Sequence, residues 1–484
     1  MGMNKRIISI IAAVFLFVTA SAQSLSGKEF NPKKSVVQIF TTYQLADYST
    51  LRQMRAPEQR SGSGCVIRGD RILTNAHVVS DQTFIQVRKA GEVDRFTAEV
   101  EYIAHDCDLA LLKVADPAFF SDTQSVELGG VPDLRETVNV YGFPVGGSQL
   151  AVTEGVVSRI EVNMYFHSRW SFLTLQIDAR VAAGNSGGPV FCKDRLVGIA
   201  FQGGSSDEAI PVPIINHFLK DIQDNKYDGF PDLGAADQHL ENPTMRKKLG
   251  MKDSQTGVYV AHVGYNSSAW DHLHRGDVIM SVDGIPIAND GTIPFKEDRV
   301  QWSHIFDMHH IGETIRLGVL REGETIQLEF PLKGGVIFVP YQEFEKSPTY
   351  YIYAGLTFMP LSGNYIFSSW KRWNDVPTNL QYYFFHKKPS PERLVPVVLT
   401  NVLAHDINIG YQNMDNLILM RVNGSIVRDM KHLKTLLETN AEPFLSFDFE
   451  DSRQIVVDPA AAQKAMPDIL AKYRIDSHCS KNLE

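Results

Sequence analysis

Ser186 lies in Gly184-Asn185-Ser186-Gly187-Gly188-Pro189, between glycines whose backbone can turn amide groups toward a developing negative charge. That setting suits the nucleophile of an acyl transfer, but a serine hydroxyl is a poor nucleophile without a base and a group that orients the base. Both residue types stand upstream. His77 falls in Thr74-Asn75-Ala76-His77-Val78-Val79 and Asp108 in Cys107-Asp108-Leu109-Ala110-Leu111-Leu112, each leading into an apolar run. The chemistry these residues suit has His77 taking the proton of Ser186 while Asp108 holds the useful imidazole tautomer. The backbone amides of Gly184 and Ser186, with Asn185 shaping the turn, form the expected oxyanion hole.

The chain order His, Asp, Ser is that of the chymotrypsin-like double barrel, whereas subtilisin-like and α/β-hydrolase enzymes run in other orders. The elements agree. From Ser35 to about Tyr227 the sequence reads as short β-branched runs broken by Gly and Pro, such as Ser35-Val36-Val37-Gln38-Ile39-Phe40, with helical periodicity only in a closing segment from Pro213 to about Asp224. A mainly β protein is therefore expected, with a protease domain over 31–228 made of two six-stranded barrels. His77 and Asp108 fall in the first, Ser186 in the second, and the cleft lies between them.

At 484 residues about three domains are expected, and 44% hydrophobic residues are ample for packed cores. Lys5 and Arg6, the apolar run Ile7 to Ala20, and Ala20-Ser21-Ala22 predict a secretory signal peptide over 1–22, cut after Ala22. The mature protein is thus expected to be periplasmic or secreted, with no membrane span. Losing Lys5 and Arg6 moves the formal charge from −9 to −11, which disfavours nucleic acid as a partner. Cys65, Cys107, Cys192 and Cys479 show no framework spacing, so they are read as mostly buried thiols with room for one disulfide. His272, His274, His309 and His310 cluster without regular ligand spacing, and neither a metal nor a cofactor is expected.

Beyond Gly229 a short internal repeat appears. Leu273-His274-Arg275-Gly276-Asp277-Val278-Ile279-Met280-Ser281-Val282-Asp283-Gly284 is echoed by Met414-Asp415-Asn416-Leu417-Ile418-Leu419-Met420-Arg421-Val422-Asn423-Gly424, each ending in a dipeptide suited to a tight hairpin. Each repeat opens with a glycine-containing apolar loop, Asp232-Leu233-Gly234-Ala235 and Ala354-Gly355-Leu356-Thr357-Phe358, able to present amides to a peptide carboxylate beside a strand edge. Leu233, Gly234 and Ala235 form the expected peptide-binding loop, with Arg246, Lys247 and Lys248 nearby to add positive charge. The second repeat carries Tyr365, Phe367, Trp370, Trp373, Tyr382, Tyr383, Phe384 and Phe385. Aromatics at that density either fill their own domain's core or pack against a neighbouring domain to build an oligomer.

These motifs, together with Ser61-Gly62-Ser63-Gly64, Val152-Thr153-Glu154-Gly155-Val156-Val157-Ser158-Arg159 and Asp406-Ile407-Asn408-Ile409-Gly410-Tyr411, resemble the Deg/HtrA serine proteases. The likeness is to the plant-type Deg subgroup with a degenerate second PDZ domain. It implies PDZ-like domains over 229–335 and 345–456 followed by a tail over 457–484. It further implies an ATP-independent endopeptidase acting on unfolded polypeptides, binding peptide C-termini through the first PDZ domain, and assembled as a homotrimer or a multiple of trimers. A regulatory sensor protease that cuts one specific partner, and a chaperone or peptide-binding scaffold with little proteolysis, are the alternatives. Phe40, Tyr43, Tyr165 and Phe166 are candidate oligomer contacts. The substrate pocket is expected around Arg180, Val181, Ala182, Ala200 and Phe201; the family usually reads Asp-Ala-Ala-Ile-Asn-Pro where this chain reads Asp178-Ala179-Arg180-Val181-Ala182-Ala183. Val181 suggests a small apolar pocket, and Arg180 either adds charge to it or points to solvent. Asn185 lacks the carboxylate that pairs with a new N-terminus in chymotrypsin-like zymogens, so switching by loops around Tyr43 to Arg60 and Gly203 to Glu208 is expected in place of clipping.

Overall fold

Two closed six-stranded barrels form the N-terminal half of the computed structural model, which describes residues 30–50, 53–202 and 206–484. The first contains β1 (Val36–Tyr43), β2 (Glu58–Ile67), β3 (Arg71–Thr74), β4 (Gln82–Lys89), β5 (Phe96–Ala104) and β6 (Leu109–Val114), in the spatial order β1-β2-β3-β6-β5-β4. The second contains β7 (Thr137–Gly142), β8 (Ala151–Met164), β9 (Ser171–Ile177), β10 (Pro189–Cys192), β11 (Arg195–Gln202) and β12 (Asp207–Pro211), in the order β10-β11-β12-β9-β8-β7. Branched aliphatic side chains fill both barrels: Ile39, Val66, Ile72 and Leu112 in the first, Val138, Val140, Ile177 and Val190 in the second. Closure leaves neither barrel with an unpaired edge. The residues of the expected signal peptide, including Ala22, lie outside the described residues, as do 51–52 and 203–205 of the two loops expected to switch.

A single apolar core joins the barrels to the first C-terminal domain. Leu73 and Leu111 of the first barrel, Phe172 and Phe191 of the second, Phe218 of the helix Val212–Asp221, then Phe230, Val258 and Ile279 belong to one contiguous cluster. Pro213 opens that helix in its first turn, where a missing N–H costs nothing. His217 on the same helix is buried and sandwiched between Phe230 at 3.7 Å and His310 at 4.1 Å.

The internal repeat is borne out by topology. In the first C-terminal domain the sheet runs 235–239, 258–263, 278–282, 314–321, 324–331, with the short strand Ile285–Pro286 paired to 278–282. The second reproduces it as 356–360, 397–402, 417–422, 445–449, 454–457, with Ser425–Ile426 paired to 417–422. Irregularities recur at matching places, Ala236/Asp237 against Thr357/Phe358 and Ile279/Ser281 against Leu419/Arg421. Both hairpins turn on two residues of positive φ, Asp283 (48°) with Gly284 (82°) and Asn423 (45°) with Gly424 (77°), the backbone a two-residue turn demands.

The two domains differ at one edge. Strand Ala235–His239 ends its sheet, so its outer edge is unpaired among the described residues, whereas Leu356–Pro360 is flanked on that side by the chain's own Tyr351–Tyr353. Residues 457–484, expected as a tail, belong to the second domain. Val457 ends its last strand, Ala462 of the helix Pro459–Tyr473 enters its core, and Cys479 bridges to Tyr351. The reason is packing: Cys479 and Leu483 are only 3% and 7% exposed, packed into the same cluster as Phe358 and Phe447. The aromatic stretch divides: Tyr365 and Tyr383 are buried beside Ile366 and Leu380, Trp370, Trp373 and Phe384 pack partly against them, and Phe367, Tyr382 and Phe385 are exposed. Tyr48 of the first barrel enters the same cluster, so the protease loop and the second domain share a core.

Burial first, and then the nearby His310, push His217 down from its ordinary 6.5 to about 4. The unfolded chain therefore takes up a proton below pH 6.5 that the folded chain refuses until about pH 4, and stability is lost as pH falls through that window. Thermal unfolding followed between pH 7 and 4.5 should show a falling midpoint, with a shallower fall in His217→Phe.

Candidate active site

The pairing of β3 with β6 sets Thr74 opposite Ala110, which brings the residues just after β3 beside those just before β6. His77 sits on the short helix Ala76–Val79 that follows β3, and Asp108 occupies the turn before β6 with φ 55°, a left-handed conformation that aspartate tolerates. Asn75 ties the two segments together by donating from Nδ2 to the Asp108 carbonyl at 2.9 Å. The Asp108 carboxylate then accepts from the His77 backbone N–H at 2.8 Å and meets His77 Nδ1 at 2.7 Å. Asp108 is 1% exposed. Burial alone would raise its carboxyl, but the His77 and His167 rings and the hydrogen bonds from His77 outweigh it and hold Asp108 below the usual range.

Ser186 is delivered by the loop between β9 and β10. Its Oγ donates to the Phe201 carbonyl at 3.5 Å, so engaging His77 requires the hydroxyl to turn from that contact; such bonds are often loose before substrate binds. The loop spends its other amides internally. Asn185 N–H donates to the Ala182 carbonyl at 2.9 Å, Gly187 N–H to Ala200 at 2.8 Å and Gly188 N–H to Asn185 at 2.8 Å. The N–H groups of Gly184 and Ser186 have no acceptor among the described residues. Gly187 has φ 84°, and a Cβ there would lie 2.1 Å from the Ser63 carbonyl, so only glycine fits.

Ser63 of β2 is a site residue whose motif is visible in the sequence but whose role is not. Its Oγ donates to the Gly184 carbonyl at 2.7 Å and accepts from the Phe143 N–H at 2.9 Å, while its own N–H donates to the Ser186 carbonyl at 2.8 Å. One fully buried residue thus holds the nucleophile loop against both barrels. Arg60 bounds one of the two loops expected to switch, but its contacts are not legible in the sequence: its guanidinium lies 3.7 Å over the Tyr43 ring and donates to the His77 and Ser80 carbonyls. A further signal for it is its place one residue before the Ser61 to Gly64 motif.

A cleft of about 990 Å³ opens over His77, Gly184 and Ser186 and runs along Thr41, Phe40 and Arg60. The expected pocket residues divide. Val181 is buried and its N–H donates to Asp207 at 2.9 Å; Ala182 is half-buried; Arg180 is exposed to solvent. Ala200 and Phe201 depart from expectation. Alternation along β11 sends the Ala200 side chain into the second barrel's core and Phe201 into the inter-barrel core, so only the Phe201 carbonyl reaches Ser186. Among the expected oligomer contacts Tyr165 is fully buried, its hydroxyl donating to the Leu173 carbonyl at 2.7 Å, while Phe166 is 58% exposed.

All four cysteines are buried and free. Among the described residues one group of three could ligate a metal, His217, Asp221 and His310, at the domain junction. Of the expected histidine cluster only His310 joins it; His309 pairs with Asp283 at 2.8 Å, and His272 stacks on Phe330. In the first C-terminal domain Leu233 and Ala235 line a cavity of about 260 Å³ with Trp302 and Phe306, next to the unpaired strand. Leu233 is buried and Gly234 takes φ 69°, pressed against Ser267. Arg246 does not point there, since it donates to the Leu240 and Glu241 carbonyls at 2.6 and 2.7 Å.

Residues 62–199 match the trypsin-like peptidase domain family, and residues 339–482 match a PDZ domain family. The chain is 38% identical over 451 residues to Protease Do-like 4, mitochondrial, of Arabidopsis thaliana, covering 92% of this chain and 84% of that protein. It is 35% identical to Protease Do-like 2, chloroplastic, of the same plant, covering 93% and 75%. Among solved structures, a serine-to-alanine variant of the HtrA-type protease AlgW with decapeptide matches with a TM-score of 0.50 at 22% identity, over 62% of this chain and 94% of that one, a likeness of fold. The expected periplasmic or secreted location is overturned by relatives named mitochondrial or chloroplastic. Residues 1–22 carry Lys5 and Arg6 and no acidic residue, a composition that organellar transit segments share with secretory ones.

Ser63→Ala would strand the Phe143 N–H in a buried site, at a cost of about 1–3 kcal/mol if expressed in the loop's catalytic geometry. We expect kcat on a peptide substrate to fall between about fivefold and a hundredfold with KM little changed.

Proposed function

Because the chain belongs to the Do-like (Deg/HtrA) family of serine proteases, we propose that it is an ATP-independent endopeptidase that degrades misfolded or damaged polypeptides through an acyl-enzyme. The observation that carries this reading is the His77–Asp108 pair at 2.7 Å, sharing one cleft with Ser186 and two uncommitted amides. In the proposed reaction Ser186 Oγ attacks the scissile carbonyl as His77 Nε2 takes its proton. Asp108 accepts the Nδ1–H bond and stabilises the imidazolium. The N–H groups of Gly184 and Ser186 receive the oxyanion, and Asn185, whose own N–H is turned back to Ala182, shapes the loop between them. His77 returns the proton to the leaving amine, and water then cleaves the acyl-enzyme.

The cleft is lined by Phe40, Thr41 and Thr42 of β1 and Gln59, Arg60 and Ser61 of β2, neighbouring strands beside which an extended chain fits better than a folded surface. The first PDZ-like domain supports recruitment. Its strand Ala235–His239 has a free edge beside the Leu233-Gly234-Ala235 loop, where a peptide C-terminus can add as a further strand. The second offers no equivalent edge, since Tyr351–Tyr353 occupies it. Assembly into a homotrimer or a multiple of trimers completes the proposal, with the 58% exposed Phe166 a candidate contact.

Purified protein should degrade casein without ATP, and Ser186→Ala and His77→Ala should each lose at least about 10³-fold in kcat while keeping the fold. A panel of unfolded and folded proteins separates broad turnover from a sensor protease that cuts one partner. Cleavage confined to a single folded protein would reject the quality-control role, and residual activity in Ser186→Ala above a trace would reject the nucleophile.

A further inference from the structure

The segment that joins the two PDZ-like domains reaches the back of the catalytic pair. Phe344 stacks on His105 with ring centres 4.2 Å apart and on His167 at 4.3 Å. Its neighbour Glu345 makes three polar contacts. One carboxylate oxygen meets His105 Nε2 at 2.7 Å, the other accepts from the Asp81 N–H at 2.9 Å, and the Glu345 N–H donates to the Asp81 carboxylate at 2.7 Å. His105 Nδ1 in turn meets His167 Nε2 at 2.9 Å, and the His167 ring lies 6.1 Å from that of His77.

The sequence positions of these partners give the contacts their meaning. Asp81 comes four residues after His77, just past the helix that carries it, and His105 comes three residues before Asp108. Glu345 therefore ties together the two chain segments that supply the catalytic base and its orienting carboxylate. Arg60 holds the His77 helix from the other strand at the same point, donating to the Ser80 carbonyl at 2.9 Å. The Arg169 guanidinium fastens the same interdomain segment to the second barrel through the Tyr341 hydroxyl at 2.7 Å.

Proton inventory fixes the direction of the chain. An ionised Glu345 only accepts, so His105 Nε2 must carry the hydrogen. When that is the only hydrogen on the His105 ring, Nδ1 is bare and accepts from His167 Nε2–H. Burial is the largest single influence and opposes ionisation of Glu345, yet the hydrogen bonds from His105 and the Asp81 N–H and the two nearby histidines together outweigh it and hold the carboxyl below its ordinary value. His167 is pushed down to about 4, chiefly by burial, so it stays neutral beside His77. The titratable groups that face this chain are Asp81, Arg60, Asp108 and His77.

We propose that Glu345 is a positioning residue for the His77–Asp108 pair, acting through His105 and His167, so that full turnover requires the interdomain segment to be docked. This rests on the triad reading above. Glu345→Gln is the informative variant, because a glutamine keeps an acceptor for the Asp81 N–H but presents N–H to His105. His105 must then place its hydrogen on Nδ1, and His167 must follow, which reverses both tautomers without removing the segment.

The experiment is steady-state kinetics on a fluorogenic peptide with the full chain, parent against Glu345→Gln, His105→Gln and the double variant, with Ser186→Ala as control. Positioning requires Glu345→Gln to lower kcat at least tenfold with KM within twofold, and to cost less than a further twofold in the His105→Gln background. A kcat within twofold of the parent, a loss borne by KM, or equal losses in both backgrounds overturns it. The cycle is unaffected by a general loss of stability, since that would act in both backgrounds alike. Activity persisting in Ser186→Ala would strike the triad reading and leave the cycle to be judged on its own numbers.

Discussion

The nucleophile loop has no regular secondary structure to hold it, and its position depends on the buried hydroxyl and backbone of Ser63. That residue contacts the carbonyls of Gly184 and Ser186 and the N–H of Phe143, so a single point in β2 sets the loop relative to both barrels. In a buried site each of those groups would be costly to leave unmatched, which makes the arrangement close to all-or-none. Thr74 extends it by donating to the Ser63 carbonyl at 2.7 Å, and Thr74 is the last residue of the strand that leads to His77. Ser186 and His77, the proposed nucleophile and base, are thus referred to the same local frame.

The base and its carboxylate are held by a second, independent set of contacts. Antiparallel register between β3 and β6 brings their segments together, and Asn75, Arg60 and Asp81 fasten the ends. Part of that set comes from far along the chain: Asp81 and His105 both bond Glu345, 264 and 240 residues away. Such a long-range contact links the site to the placement of the second PDZ-like domain, whose core also takes Tyr48 from the protease domain.

Divergence of the two repeats has a simple physical basis. Both share one sheet order, one hairpin and the same irregularities, but a strand edge can pair only once. In the first domain the outer edge of Ala235–His239 has no partner strand among the described residues; in the second Tyr351–Tyr353 fills it, and Asn408 Nδ2 closes the loop by donating to the Ala354 and Leu403 carbonyls at 2.8 Å. Backbone pairing that is satisfied internally has nothing to offer a ligand.

The sequence by itself determined the plan of the molecule and pointed to the proposed chemistry. Ser186 among glycines, His77 and Asp108 in that order, β-branched runs without helical period and two Asp-Gly or Asn-Gly hairpins are local signals, readable because turn geometry and strand alternation act over a few residues. Several features lay beyond such signals. The side chains of Ala200 and Phe201 turned into cores because strand alternation was fixed by partners across the sheet. The segment 457–484 joined a domain because its apolar residues found a surface there. Ser63, Arg60 and Glu345 gained their roles only when strands and an interdomain segment from distant parts of the chain met at one point, and local spacing carries no record of such meetings.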